Sequence, residues 1–309
     1  MMPPTNEPTV QLTFRPARPE DKPRVMEITA HTWGAHEGDY ISQVWTKWLA
    51  DPQGEFTVAE LDGTIVALAK LTRVSDDQWW IEGLRVDPER RLKGIGQAMN
   101  AYQVQLAQKL GGRVVRYATG LRNQGSHRIA ERAGFHVLTR FVERTGDQLA
   151  EPVIGLETLT RADLDAAWRI ASESDVVQAT GGVYVWMWRA RTLTRDLLAE
   201  HLEKSQVMGT RDAAGRLNAW ALVEIDPDWD RLSVTTLVGS TDGMTALGRA
   251  LRAHAGTLGK VAVELMTQPL PRVLDAISAA GYHIEVDHEH PEEIREHGID
   301  ILELRLDQM

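Results

Sequence analysis

Apolar positions along the first 150 residues switch repeatedly between a period of two and a period of three to four, so this stretch reads as alternating strands and helices. A short strand at Gln11–Arg15 is followed by Pro19-Glu20-Asp21, an acidic helix start, and an apolar series through Val25, Ile28 and Thr29. A second helix is predicted over Ile41–Leu49. Glu55–Leu61 and Thr64–Val74 alternate and are joined by Asp62-Gly63, the signature of a two-residue hairpin. A third strand, Gln78–Val86, runs into Asp87-Pro88. The helix beyond it begins near Gly94, carries one stripe of Ile95, Met99, Tyr102, Leu106 and Leu110, and stops at Gly111-Gly112. Val114–Ala118 is the next strand, Asn123 caps a short helix ending at Gly134, and a last strand lies near Val137–Glu143.

The same order recurs faintly from Pro152. It comprises a strand at Val153–Glu157, a helix over Asp163–Ala171, and hairpin strands flanking Asp212–Gly215 and Asp226–Asp230. Arg231–Val238 then matches the central strand, Met244–Ala255 the long helix, Val261–Met266 the next strand and Arg272–Ala280 the short helix. Gly281-Tyr282 closes the series as Gly134-Phe135 closes the first, and this matching order is the mark of an internal repeat. The expected organisation is a disordered N-terminus over 1–10, one domain over 11–150 and a second over 151–309. Each is of the α/β (α+β) class, with a mixed, mostly antiparallel central sheet flanked by helices.

Composition fits this division: 309 residues, 43% hydrophobic and 25% charged, are enough for two cores. No run approaches the ~20 apolar residues of a membrane helix, and the start of the chain is polar, so the expectation is a cytoplasmic protein with no membrane partner. The absence of cysteine excludes thiolate nucleophiles, thiolate metal sites and disulfides. A formal charge of −10 argues against nucleic acid as a partner. His288, His290 and His297 lack the spacing of metal ligands, so no metal is expected. Monomer and homodimer both remain open.

The segment with chemical character is Arg91-Leu92-Lys93-Gly94-Ile95-Gly96-Gln97, between a buried strand and an amphipathic helix. Successive backbone N–H groups and the helix's positive end converge there, two glycines admit an anion, and Arg91 and Lys93 add charge. A pyrophosphate is the natural ligand. A dinucleotide fold would want a third glycine near Met99 and a later acidic residue, and a triphosphate loop would want four residues between its glycines; neither is present.

Taken together, the strand Trp80–Val86, Asp87-Pro88, the Arg91-x-x-Gly94-x-Gly96 loop and Asn123-x-x-Ser126 ending in Gly134-Phe135 resemble the GCN5-related N-acetyltransferase (GNAT) family over roughly residues 11–146. The second half resembles the same fold with Ser240-Thr241-Asp242-Gly243 in place of the basic loop, Asp242 being repulsive to phosphate, so a tandem member with one degenerate domain is implied. The resemblance implies acetyl-CoA as co-substrate and a primary amine of a small molecule or peptide as acceptor. It assigns Leu84 and Val86 to the pantetheine arm, Arg91, Leu92, Lys93, Gly94, Ile95, Gly96 and Gln97 to the pyrophosphate, and Asn123 and Ser126 to the arm's far side. The backbone N–H of Leu84 is the candidate oxyanion donor. Glu82 is the candidate base, since alternation would put it on the face of Trp80 and Leu84. One departure stands out: Ala130 occupies the place where many relatives carry the tyrosine that protonates the leaving thiolate. His127, Tyr117 or water are the substitutes, and a coenzyme-binding regulatory protein without turnover is the alternative to an enzyme. The substrate end is expected at the first two helices, where His31, Trp33, His36, Tyr40, Trp45 and Trp48 form one aromatic stretch; Trp45 and Trp48 have the spacing of packing residues, and the run Tyr184, Trp186, Met187, Trp188 suits packing too.

Overall fold

The computed structural model describes residues 12–30, 39–90, 94–186, 189–285 and 297–308. They form two compact units, one made of residues 1–117, 124–136 and 303–309 and the other of 118–123 and 137–302.

The first unit opens with β1 (Thr13–Pro16) and a 3-10 turn, Pro19–Asp21, leading into α1 (Lys22–Ala30). Asp21 fixes that turn: its carboxylate accepts the Arg18 N–H at 2.7 Å and both Nη groups of Arg15 at 2.7 and 2.9 Å. These bonds, above all those from Arg15, hold the carboxyl below the usual range although burial opposes them. Then come α2 (Ile41–Leu49), β2 (Glu55–Leu61), β3 (Thr64–Arg73), β4 (Gln78–Val86), α3 (Ile95–Lys109), β5 (Val114–Gly120) and α4 (Gln124–Arg132). The turn at Asp62-Gly63 has φ of 51° and 75°, the mirror-image geometry that the Asp-Gly pair favours. The strands lie in the order β1-β2-β3-β4-β5, antiparallel throughout except for the parallel β4–β5 pair.

Strand alternation divides the core in two. Phe56, Val58, Ile65 and Leu68 pack under Val25, Ile28, Ile41, Trp45 and Trp48 of α1 and α2. Ala59, Val66, Ala67 and Ala69 pack under Ile95 and Met99 of α3. The small side chains on this second face let α3 lie close to the sheet.

The second unit contains β6 (His136–Asp147, from Val137 on), β7 (Glu157–Thr158), α5 (Leu164–Ser172), α6 (Asp175–Ala179), β8 (Val183–Trp186), β9 (Arg189–Thr192), α7 (Arg195–Glu203), β10 (Val207–Arg211), β11 (Leu217–Glu224), β12 (Arg231–Gly239), α8 (Thr241–Thr257), β13 (Ala262–Thr267) and α9 (Pro271–Ala279). Its strands run β6-β13-β12-β11-β10-β7, again with one parallel pair, β12–β13. β14 (Gly298–Arg305) follows, and from Glu303 on the chain counts with the first unit. The strands β1–β5 and the strands β6, β13, β12, β11, β10 and β7 thus each form a mixed, mostly antiparallel set with one parallel pair.

Several elements differ from expectation. The strand expected at Val153–Glu157 is reduced to Glu157–Thr158. α6, the β8–β9 hairpin, α7 and β14 have no counterpart among the expected elements. Tyr184 is a core residue whose hydroxyl hydrogen-bonds His201 Nε2 at 2.8 Å, in keeping with a packing role, while Met187 and Trp188 lie outside the described residues.

Candidate functional site

β4 supplies the centre of the first unit's site, and its register explains why. Lys70 pairs with Glu82 and Leu68 with Arg85, so two residues of β3 span three steps of β4. The extra residue is a bulge at Gly83, whose φ of +65° a side chain would resist. A Cβ there would also lie 2.4 Å from Cη2 of Trp48, so the bulge sits flush against α2. On its other edge β4 pairs with β5 only from Gln78 to Trp80 among the described residues. Beyond Trp80 the two parallel strands are no longer paired, and the backbone of Ile81–Val86 is laddered only to β3.

The bulge corrects one expectation. Alternation would put Glu82 and Leu84 on one face, but the inserted residue reverses the phase. Glu82 stands opposite Lys70, which pairs with Phe56 on the α2 side. Leu84 and Val86 instead pack with Ile95 and Met99 on the α3 side. The Glu82 carboxylate accepts a 2.5 Å hydrogen bond from Thr72 Oγ1. Beside it Lys70, 1% exposed, donates to Asp51 at 2.5 Å and to the Leu71 carbonyl at 2.7 Å. Burial pushes the Asp51 carboxyl up, but hydrogen bonds from Lys70 and from the amides of Gln53 and Gly54 outweigh it and hold it below the usual range.

At the end of β4, Gly94 caps α3 with φ +70° and no side-chain cap. Among the described residues nothing lies within 4 Å of the position a Cβ would take, so it is the backbone angle that calls for glycine here. By helix geometry the N–H groups of Ile95, Gly96 and Gln97 have no acceptor within α3. At Gly96 a Cβ would sit 3.1 Å from Ile129 Cδ1, 3.5 Å from Val86 Cγ2 and 3.8 Å from Leu84 Cδ2. The helix start is thus packed directly against the end of β4 and against α4. Arg91, Leu92 and Lys93 lie outside the described residues.

On α4, Ser126 is half-buried and its carbonyl accepts the Tyr117 hydroxyl at 3.4 Å. Burial pushes the Tyr117 phenol up to about 12, so it stays protonated at neutral pH. Asn123 is exposed, immediately precedes α4 and counts with the second unit. Ala130 is 1% exposed. The structure therefore brings Leu84, Val86, Ile95 and Gly96 together, with Ile129 of α4 beside Gly96, and sets Glu82 on the opposite face. Trp45 and Trp48 are 4% and 3% exposed and belong to the core. His31, Trp33 and His36 of the same aromatic stretch, and His288 and His290, lie outside the described residues. Sequence reasoning did not single out Gly83, Thr72 or Asp39. The one available signal was a glycine inside a strand, which marks a bulge or a close approach.

The second unit repeats the central bulge with different residues. Leu222 pairs with Thr235 and Trp220 with Val238, and the extra residue is Thr236 at φ +56°. α8 begins differently from α3: Ser240 caps it through its own Oγ, which accepts the Gly243 N–H at 3.1 Å, and Asp242 stands in the first turn. An acidic side chain in a helix's first turn competes with an anion for the helix's positive end.

This arrangement, a bulged central strand parting from its parallel neighbour beside a glycine-capped helix N-terminus, has counterparts among known proteins. Residues 22–135 match the model of the Acetyltransferase (GNAT) family. A histidine N-acetyltransferase of Oreochromis niloticus is 29% identical over 96 residues, which span 31% of this chain and 28% of that protein. A GCN5-related N-acetyltransferase from Sphaerobacter thermophilus shares the fold over 95% of each chain, with a TM-score of 0.64 and 14% identity. A tandem GNAT protein from the clavulanic acid biosynthesis pathway does so over 96% of this chain and 98% of its own, with a TM-score of 0.54 and 17% identity.

Proposed function

We propose that the first unit transfers an acetyl group from acetyl-CoA to the primary amine of a small molecule or peptide. The observation that carries this reading is the coincidence, at one end of β4, of a strand edge that among the described residues is paired to β5 only as far as Trp80 and an α3 N-terminus capped by a glycine at φ +70°. A coenzyme would lay its pantetheine arm along Leu84 and Val86 and its pyrophosphate over the N–H groups of Leu92–Gln97, with Arg91 and Lys93 supplying charge. Ser126 would meet the arm from its other side.

In the reaction the neutral amine attacks the thioester carbonyl, a C–N bond forms, the C–S bond breaks and coenzyme A leaves as the thiol. Glu82 takes the proton lost by the amine, directly or through water, and the Leu84 N–H meets the developing oxyanion. With Ala130 in the tyrosine's place, the thiolate takes its proton from Tyr117, His127 or water. A thiol of pKa ~8.5 is a fair leaving group without help. The relative that acts on histidine makes free amino acids a sensible first group of acceptors. The deciding experiment is thiol release from acetyl-CoA across a panel of amino acids, polyamines and peptide N-termini. Release that saturates with one amine class supports the reading. A second reading, a coenzyme-binding protein without turnover, is favoured by Ala130, and binding of acetyl-CoA with no release for any amine would select it.

A further inference from the structure

We infer that Arg85 is a positioning residue that holds the Leu84 peptide in place and ties it to the start of α2. The inference rests on the acetyltransferase reading, because it concerns the backbone which that reading sets against the acyl group.

Where β4 bulges, Gly83 and Leu84 are skipped in the β3 register, so the ladder that fixes the rest of the strand does not fix them. Two contacts from the α2 side take its place. At the far end of α2, the Trp48 ring lies against Gly83, where a Cβ would be 2.4 Å from Cη2. Ahead of α2, Asp39 holds the Arg85 guanidinium, with Oδ2 2.7 Å from Nε and Oδ1 3.5 Å from Nη2. The remaining Nη1 turns back and donates to the Leu84 carbonyl at 3.2 Å. Tyr40 lies under the guanidinium, 5.7 Å from ring centroid to Cζ, and its own ring meets Trp48 edge-on at 5.9 Å. The side chains of Arg85 and Asp39 are 10% and 2% exposed, and Asp39 Oδ1 also accepts the Ile41 N–H at 3.1 Å in the first turn of α2.

This is a closed chain of contacts: α2 backbone, Asp39, Arg85, Leu84 backbone, Gly83, Trp48 and back to α2. Its chemistry suits a planar fork and no other cation. One guanidinium meets a carboxylate with two of its nitrogens and a peptide carbonyl with the third; an ammonium on a lysine stem has one nitrogen to do both. Holding the Leu84 carbonyl fixes the peptide plane on one side of Leu84 Cα, and Trp48 against Gly83 bounds the plane on the other side, the one that carries the Leu84 N–H, so the two contacts together limit how that N–H can turn. Since a misplacement of ~1 Å at a reacting centre costs up to ~10²-fold in rate, loss of the fork is expected to lower kcat by ~10- to 100-fold. A residue that only stabilised the fold would change the melting temperature and leave kcat intact.

The test uses the full chain and four proteins: wild type, Arg85→Lys, Asp39→Asn and the double variant. Three quantities are measured: kcat and KM for acetyl-CoA, Kd for coenzyme A by calorimetry, and the backbone amide resonances of Leu84 and of Gly94–Gln97 as coenzyme A is added. The expected result is a ~10- to 100-fold fall in kcat for each single variant. Kd should stay within about twofold, and the double variant should be no worse than the poorer single, because both break one chain of contacts. In Arg85→Lys the Leu84 resonance should lose its response to coenzyme A while Gly94–Gln97 keep theirs. An unchanged Leu84 response and an unchanged kcat in folded Arg85→Lys would overturn the inference. If instead wild type shows no response at either place, the acetyltransferase reading itself fails and the inference falls with it.

Discussion

Gly83 carries two separate constraints, a left-handed backbone angle and a neighbouring tryptophan, and they can be measured apart. Gly63 has a similar φ of +75° with nothing within 4 Å of its Cβ position. Gly63→Ala should therefore cost only the backbone term, ~1 kcal/mol, whereas Gly83→Ala adds the collision with Trp48 and should cost ~2–4 kcal/mol in urea unfolding. Equal costs would mean that Trp48 moves aside freely. At Glu82 the effect should be kinetic: Glu82→Gln is expected to lower kcat by ~10²- to 10⁴-fold with KM for acetyl-CoA unchanged, seen in steady-state kinetics. At this scale the sequence was informative about residue type and less so about direction. Glu82, Gly94 and Gly96 stood out as candidates because a carboxylate in a strand and glycines before a helix are visible as such. The side to which Leu84 points was not visible, because one inserted residue reverses every later position in a strand, and Gly83 was read as an ordinary strand member.

Among the elements, strong periods were legible and short or isolated pieces were not. α2 was placed over Ile41–Leu49, as found, and α8 and α9 were placed within a few residues at each end. α6 has five residues and β8 and β9 four each, too short for a period to declare itself. β14 was missed for a different reason: its partners are distant in sequence, so nothing local signals it. Yet the last residues of the chain matter to the first unit. Glu303 meets Arg116 at 2.7 Å with both side chains 7% exposed, the Leu306 N–H donates to the Arg113 carbonyl at 2.8 Å, and Asp307 meets Arg113 at 3.1 Å. Glu303→Ala leaves a buried guanidinium without its carboxylate and should cost ~3–5 kcal/mol, read as a lower urea midpoint. The exposed pair Arg113–Asp307 should be worth far less, ~1 kcal/mol at most, in the same assay.

At the scale of the whole molecule, each unit has a bulged strand in a mixed sheet, α3 begins at Gly94 and α8 at a Ser240 cap, and the second unit has its own response to pH. In the second unit, burial and a hydrogen bond to Glu264 push the Glu143 carboxyl up from 4.5 to about 8, with Glu285 adding to the rise and Arg231 opposing it. An acid whose folded value lies above its unfolded one is stabilising in its protonated form. That contribution is full below 4.5 and is lost as pH climbs through about 8. The melting temperature should accordingly fall between pH 5 and 9, after allowance for other groups, and Glu143→Gln should flatten that fall. A slope identical in the two proteins would mean that the pair is not sharing a proton. Among the described residues no helix is long and apolar enough to cross a membrane, and no group of three or more His, Cys, Asp or Glu side chains is placed to hold a metal ion.

The central claim is that the start of α3 binds the phosphates of acetyl-CoA, and calorimetry on two variants tests it most directly. Gly94→Asn keeps a residue that tolerates a left-handed angle and adds no charge, whereas Gly94→Glu sets a carboxylate before the free N–H groups. Titrated with acetyl-CoA, wild type and Gly94→Asn should bind one equivalent with affinities within about tenfold of one another, and Gly94→Glu should lose at least ~1.4 kcal/mol beyond that, a further tenfold. Binding that is absent in wild type, or equal in wild type and folded Gly94→Glu, would contradict the account.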